Sequence, residues 1–143
     1  MAQIFIVCAL ALSSFWLDQP PAFARKIQPS FVSRNAVCVD VAWQAKQQGM
    51  DPYLAVSVAY QETGFVADSV SNRGAVGPLQ ILRRWHGEGD PVAVGVRVLL
   101  RNKKIYGSWD EALCHYNAGN RCGRRSRYYA RSILNRYRLQ AGC

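Results

Sequence analysis

Apolar residues recur with a helical period through most of this chain, separated by recognisable stop signals. From Ser33 or Arg34 to Gln48, the positions Ala36, Val37, Val39, Val41, Ala42 and Trp43 interleave with polar residues, and Gly49 ends the pattern. The run DPYLAVSVAYQ carries no charge after its aspartate. Asp51-Pro52 supplies an N-cap acceptor and a proline at the first helical position, and Gly64 a stop, so the spacing predicts a helix over 52–63. Asp90-Pro91 opens another, through Val96, Val98, Leu99 and Leu100 to about 106, closed by Gly107. Ser108-Trp109-Asp110-Glu111 has the capping-box spacing and starts a fourth, over about 109–118. A last helix over about 127–138 carries Tyr128, Tyr129, Ile133, Leu134 and Tyr137. Residues 66–89, rich in Gly, Ser and Asn, read as irregular loop with room for a very short hairpin. No repeat, low-complexity tract or second domain interrupts this. The expectation is one mainly α domain with a cleft-forming loop region.

One position conflicts with its surroundings. At 100° per residue Leu54, Ala55, Val58 and Ala59 share a face, and Glu62 projects into the middle of it. It also sits in the last turn, where unpaired carbonyls oppose a negative charge. Desolvation acts in the same direction. Both effects raise the pKa, which is how a general acid is made. The plain alternative is a glutamate that swings out at a frayed helix end or pairs with an arginine.

Composition adds a compartment. The chain has 143 residues and a formal charge of +9, enough for one domain with a core. Its start differs from the rest: IFIVCALALSSFWL is continuously apolar and is followed by Asp18, two prolines and Ala22-Phe23-Ala24. This pattern reads as a secretory signal peptide, residues 1–24, cleaved after Ala24. An uncleaved membrane anchor competes with it, although the run is short for a span and its start lacks a lysine or arginine. Cleavage would leave Cys38, Cys114, Cys122 and Cys143, an even count that suggests two disulfides in an exported chain. Sequence permits every connectivity; Cys114 with Cys122 across a short turn, and Cys38 with Cys143 near the domain ends, are favoured. Paired C-x-x-C spacings are absent, which disfavours zinc. Arg121, Arg124, Arg125, Arg127, Arg131, Arg136 and Arg138 make the C-terminal segment a basic face attractive to polyanions such as wall polymers or lipid head groups. No nucleic-acid module accompanies them, so nucleic acid is not expected as a partner.

The chemistry comes into focus through ETGF at Glu62 to Phe65, SNRGAVGPLQIL at Ser71 to Leu82, and HYNAG at His115 to Gly119. In this order and spacing they resemble the soluble lytic transglycosylase domain, the lysozyme-like bacterial and phage enzymes that cleave peptidoglycan. The usual forms there are ESGF, S-x-x-G-A-x-G-L-M-Q-I and AYNAG. GSWDEAL and GVRVLL fit as well, and the resemblance spans residues 37–134. It implies an α-rich lysozyme-like lobe with Glu62 as catalytic acid and base. Ser71 would help hold the substrate's N-acetyl group, and Gln80 would contact substrate in the cleft. Tyr116 would hydrogen-bond and orient the glutamate, with Asn117 beside it in the groove wall. No cofactor or metal is implied. The partners implied are peptidoglycan glycan strands and, by analogy with small exported members, a secretion, conjugation or pilus apparatus. The departures are Thr63 for serine, Pro78-Leu79 for Leu-Met, and a short segment between Leu82 and Asp90 that opens the groove.

The remaining acids sharpen the expectation. Ordinary glycosidases use two carboxylates, roughly 5 Å apart for retention and roughly 6.5 to 9.5 Å for inversion. Asp51, Asp90, Asp110 and Glu111 have helix-start roles and Asp40 lies on an earlier helix, which leaves Asp68 and Glu88 in the cleft loops without a signature. A lone glutamate suits a transglycosylase, which needs neither an enzyme nucleophile nor an activated water. A hydrolytic muramidase and a non-catalytic basic wall-binding protein are the competing functions. Considered singly, Tyr116 is a half-buried core tyrosine, Gln80 a loop amide, and His86 and His115 lie far apart without ligand spacing. Trp85 is the aromatic to test for sugar stacking.

Overall fold

A computed structural model describes residues 2–18 and 31–142. The chain is mainly α-helical. Its elements are α1 (Ala2–Asp18), α2 (Phe31–Gln48), α3 (Pro52–Thr63), α4 (Arg83–His86), α5 (Pro91–Tyr106), α6 (Trp109–Ala118) and α7 (Arg124–Ala141). The expected caps set the ends. Asp51 accepts from the Tyr53 amide at 2.9 Å and Asp90 from the Ala93 amide at 3.1 Å, each ahead of a proline in the first turn. Ser108 caps α6 through the Glu111 amide at 3.2 Å. The Glu111 carboxylate does not serve that cap; it pairs with Arg127 on α7 at 2.7 Å. The loop contains no extended strand among the described residues. Isolated antiparallel bridges, Val70 with Val76 and Val76 with Ile81, stand in place of the short hairpin.

A single core fills the space between α2, α3, α5, α6 and α7. Val41, Ala42, Leu54, Ala55, Val58, Ala59, Leu99, Leu113 and Ile133 are all 0–1% exposed. Each fully buried aliphatic side chain contributes about 1.5–3 kcal/mol against exposure. A smaller cluster of Ile81, Val94 and Val98 packs with Val76 and Tyr116 and fastens the loop to α5. The fastening depends on Gly95: a Cβ there would lie 2.6 Å from Leu79 Cδ1 and 2.7 Å from Leu79 Cβ, so α5 can approach the loop only without a side chain.

The pairing of Cys38 departs from expectation. Ala22-Phe23-Ala24, the expected cleavage site, lies outside the described residues. In the full chain the apolar run is the helix α1, with Ile4, Val7, Cys8, Ala11 and Leu12 at 0–2% exposure in the common core. Cys38 bonds to Cys8, not to Cys143, which also lies outside the described residues. The pairing follows from α1 packing along α2, which brings Cys8 beside Cys38. The second bridge, Cys114–Cys122, is the expected one and ties α6 to the start of α7. Both fit a chain that folds in an oxidising compartment. Among the described residues no helix is long and apolar enough to cross a membrane.

Candidate active site

Glu62 stands in the last turn of an otherwise apolar helix, and the turn at residues 64–66 fixes it there. Gly64 adopts the left-handed conformation and its amide returns to the Ala59 and Tyr60 carbonyls, terminating α3. Phe65 is also left-handed, with φ 68°, and is fully buried; Arg34, itself buried, donates to the Gly64 carbonyl. Thr63 accepts from the Val66 amide at 3.2 Å and donates to the Pro78 carbonyl at 3.0 Å, which pins the cleft loop to the helix end. The serine-to-threonine change thus keeps the hydroxyl, and the Pro78 that removes a backbone donor still offers its carbonyl.

The carboxyl of Glu62 accepts a 2.5 Å hydrogen bond from the Tyr129 hydroxyl on α7. Desolvation raises its pKa from 4.5 to about 7, and the Tyr129 hydrogen bond acts against that rise. No neighbouring carboxylate contributes to the shift. Both Tyr116 and Tyr129 have phenol pKa values raised by burial and by the nearby Glu62 charge, so they are neutral donors at any ordinary pH.

The expected site residues surround the loop and the acid with the following contacts. Tyr116 lies against the same acid but donates to the Leu79 carbonyl at 2.5 Å, so the orienting hydrogen bond comes from Tyr129 instead. Gln80, at φ 54°, turns its amide back to the Gly77 carbonyl at 2.9 Å and the Ser69 carbonyl at 3.3 Å, closing the loop. The Ser71 hydroxyl accepts from the Ala75 amide at 3.0 Å and the Arg73 amide at 3.3 Å, organising the turn that carries Arg73. Asn117 accepts from Ser126 at 2.8 Å and lines the adjoining cavity. Of the two cleft-loop acids, Glu88 is exposed and 3.4 Å from Arg83, and Asp68 is exposed on the loop.

This cavity, of about 500 Å³, opens beside the acid between the loop, α4, α5 and α6, with Tyr116 as its wall toward Glu62. Trp85, 70% exposed, stands at its rim and Arg84 lies over the indole at 5.5 Å. Tyr106 and His115 stack in parallel at 3.8 Å on its far side. Potential metal ligands converge at Glu111, His115 and Cys122, within 4.8 Å of one another. Cys122 is committed to its disulfide and Glu111 to Arg127, which makes this trio a poor cation site. Sequence reasoning misses Tyr129 as a site residue, since an aromatic on an amphipathic helix reads as core; only its position opposite Glu62 in space distinguishes it. Set against known proteins, the chain matches no protein-family model, no curated protein and no solved structure.

Proposed function

We propose that this protein is an exported peptidoglycan lytic transglycosylase with a lysozyme-like lobe, cleaving the β-1,4 bond between N-acetylmuramic acid and N-acetylglucosamine. The observation that carries the proposal is Glu62: a desolvated carboxyl with a pKa of about 7, bonded to Tyr129, on which no second carboxylate acts. An acid with that pKa is partly protonated near neutrality and can both give and take a proton. Glu62 protonates the glycosidic oxygen as the bond to muramic C1 breaks, and the N-acetyl carbonyl of the sugar stabilises the cationic centre. The carboxylate so formed takes the proton of the muramic C6 hydroxyl, whose oxygen attacks C1 and closes a 1,6-anhydro ring. Glu62 ends protonated as it began, and water is not consumed. Tyr129 holds the carboxyl in place through both steps.

Carboxylate variants test this. Glu62→Gln is nearly isosteric and should lower strand cleavage by several orders of magnitude with the fold retained, while Asp68→Asn and Glu88→Gln each leave cleavage largely intact. Glu62→Gln activity within about tenfold of wild type would refute the role of the acid. Collapse in Asp68→Asn or Glu88→Gln would favour a two-carboxylate muramidase.

A further inference from the structure

The cavity beside Glu62 is cationic. Arg73 from the loop, His86 from α4, Arg101 from α5 and His115 from α6 line it, and no carboxylate does. Arg73 and Arg101 are exposed and, among the described residues, neither takes part in an ion pair. Burial, and after it the nearby Arg101 charge, lower the His86 pKa, which leaves that imidazole neutral and the standing positive charge of the lining on Arg73 and Arg101. Glu111 is 3.9 Å from His115 Nε2 but bonded to Arg127 and outside the lining. Holding Arg73 and Arg101 at one cavity with no carboxylate in its lining costs electrostatic energy that an anionic ligand would recover. The cavity's size is that of a small-ligand site, and Trp85 gives its rim an apolar platform.

We infer that this cavity binds a carboxylate-bearing substituent of the glycan, the acidic stem peptide on the muramic acid, with Arg73 and Arg101 as the specificity-determining residues. The inference rests on the peptidoglycan reading of Glu62 and adds a preference within it: strands carrying acidic peptides are bound more tightly than the same strands with neutral ones. Guanidinium groups suit carboxylates because they offer paired, charge-assisted donors. Placed one side chain from the acid, the pocket would register the strand over Glu62.

The test uses the full chain, stem-peptide-bearing glycan strands, and the same strands after their carboxylates are converted to primary amides. With Glu62→Gln to prevent turnover, the acidic strands should bind about tenfold more tightly at low salt. Arg73→Gln/Arg101→Gln should abolish the preference and leave binding of the amidated strands unchanged. The lysine counterpart, Arg73→Lys/Arg101→Lys, should retain part of it. Arg131→Gln/Arg138→Gln removes the same charge from α7 and should keep the preference, which separates the pocket from the net charge of the protein. In turnover, the pocket variant should raise KM on acidic strands with kcat unchanged. Equal binding of the two strands, or equal loss of preference in the α7 control, would overturn the inference. Wild-type cleavage is read separately: anhydro products from both strands with no preference would sink the pocket alone, and a preference without anhydro products would sink the transglycosylase reading alone.

Discussion

Glu62 and Tyr129 form a pair whose effects have opposite sign, and that makes them separable by pH. Burial raises the Glu62 pKa from 4.5 to about 7 and the Tyr129 hydrogen bond acts against that rise. Between those values the folded state binds more protons than the unfolded state, so stability falls as pH rises through this window. The loss is on the order of 3 kcal/mol once both states are ionised. Glu62→Gln removes the ionisation, so its melting temperature relative to wild type should climb from pH 5 to pH 8; a constant difference would show that the carboxyl is not buried. Activity needs the protonated form and should be lost as pH rises through about 7. Tyr129→Phe removes the hydrogen bond that favours the anion, so the alkaline limb of kcat/KM should move to higher pH. Tyr116→Phe, whose hydroxyl serves the Leu79 carbonyl, should leave the limb in place. The reverse pattern would assign the orienting bond to Tyr116.

At the scale of elements, the site depends on how closely the loop approaches α5. Gly95→Ala adds helix propensity worth about 1 kcal/mol. It also drives a methyl into the Leu79 side chain at 2.6–2.7 Å, an overpacking that costs roughly 1–3 kcal/mol or displaces the loop. The clash should win: we expect lower stability by urea denaturation and reduced strand cleavage, because Leu79 carries the carbonyl that holds Tyr116. A stabilised, fully active Gly95→Ala would contradict this packing. The helices themselves are legible in the sequence because Asp51-Pro52, Asp90-Pro91 and Ser108 cap them in the expected way. The ends of α7 are not, since its outer turns are arginine-rich and lack an apolar period; it runs Arg124–Ala141 against an expected 127–138. The single turn α4 is hidden for the same reason. The local bonds of Gln80 are not legible either, because its positive φ, a loop property with no sequence mark, turns its amide toward the Gly77 carbonyl.

At the scale of the molecule, the position of Glu62 on an apolar face is legible from a 3.6-residue period, but its partner is not. Tyr129 lies 67 residues away and meets it only through the packing of α3 on α7. The Cys8–Cys38 bridge is out of reach for a similar reason: it needs α1 laid along α2, and the apolar start of the chain reads as a leader rather than as a core helix. The basic character is visible in composition, yet its division into two surfaces emerges only in three dimensions. Arg124, Arg125, Arg127, Arg131 and Arg138 are exposed along α7, whereas Arg136 folds back over Tyr60 at 3.6 Å, and Arg73 and Arg101 meet at the cavity. In the proposed reaction Glu62 works with the substrate's own hydroxyl and without water. This is tested most directly by digesting purified peptidoglycan sacculi with the protein in ¹⁸O-labelled water and weighing the released muropeptides. The expected products are 1,6-anhydromuramic ends that carry no label; reducing ends, one water heavier and labelled, would show that water is the nucleophile.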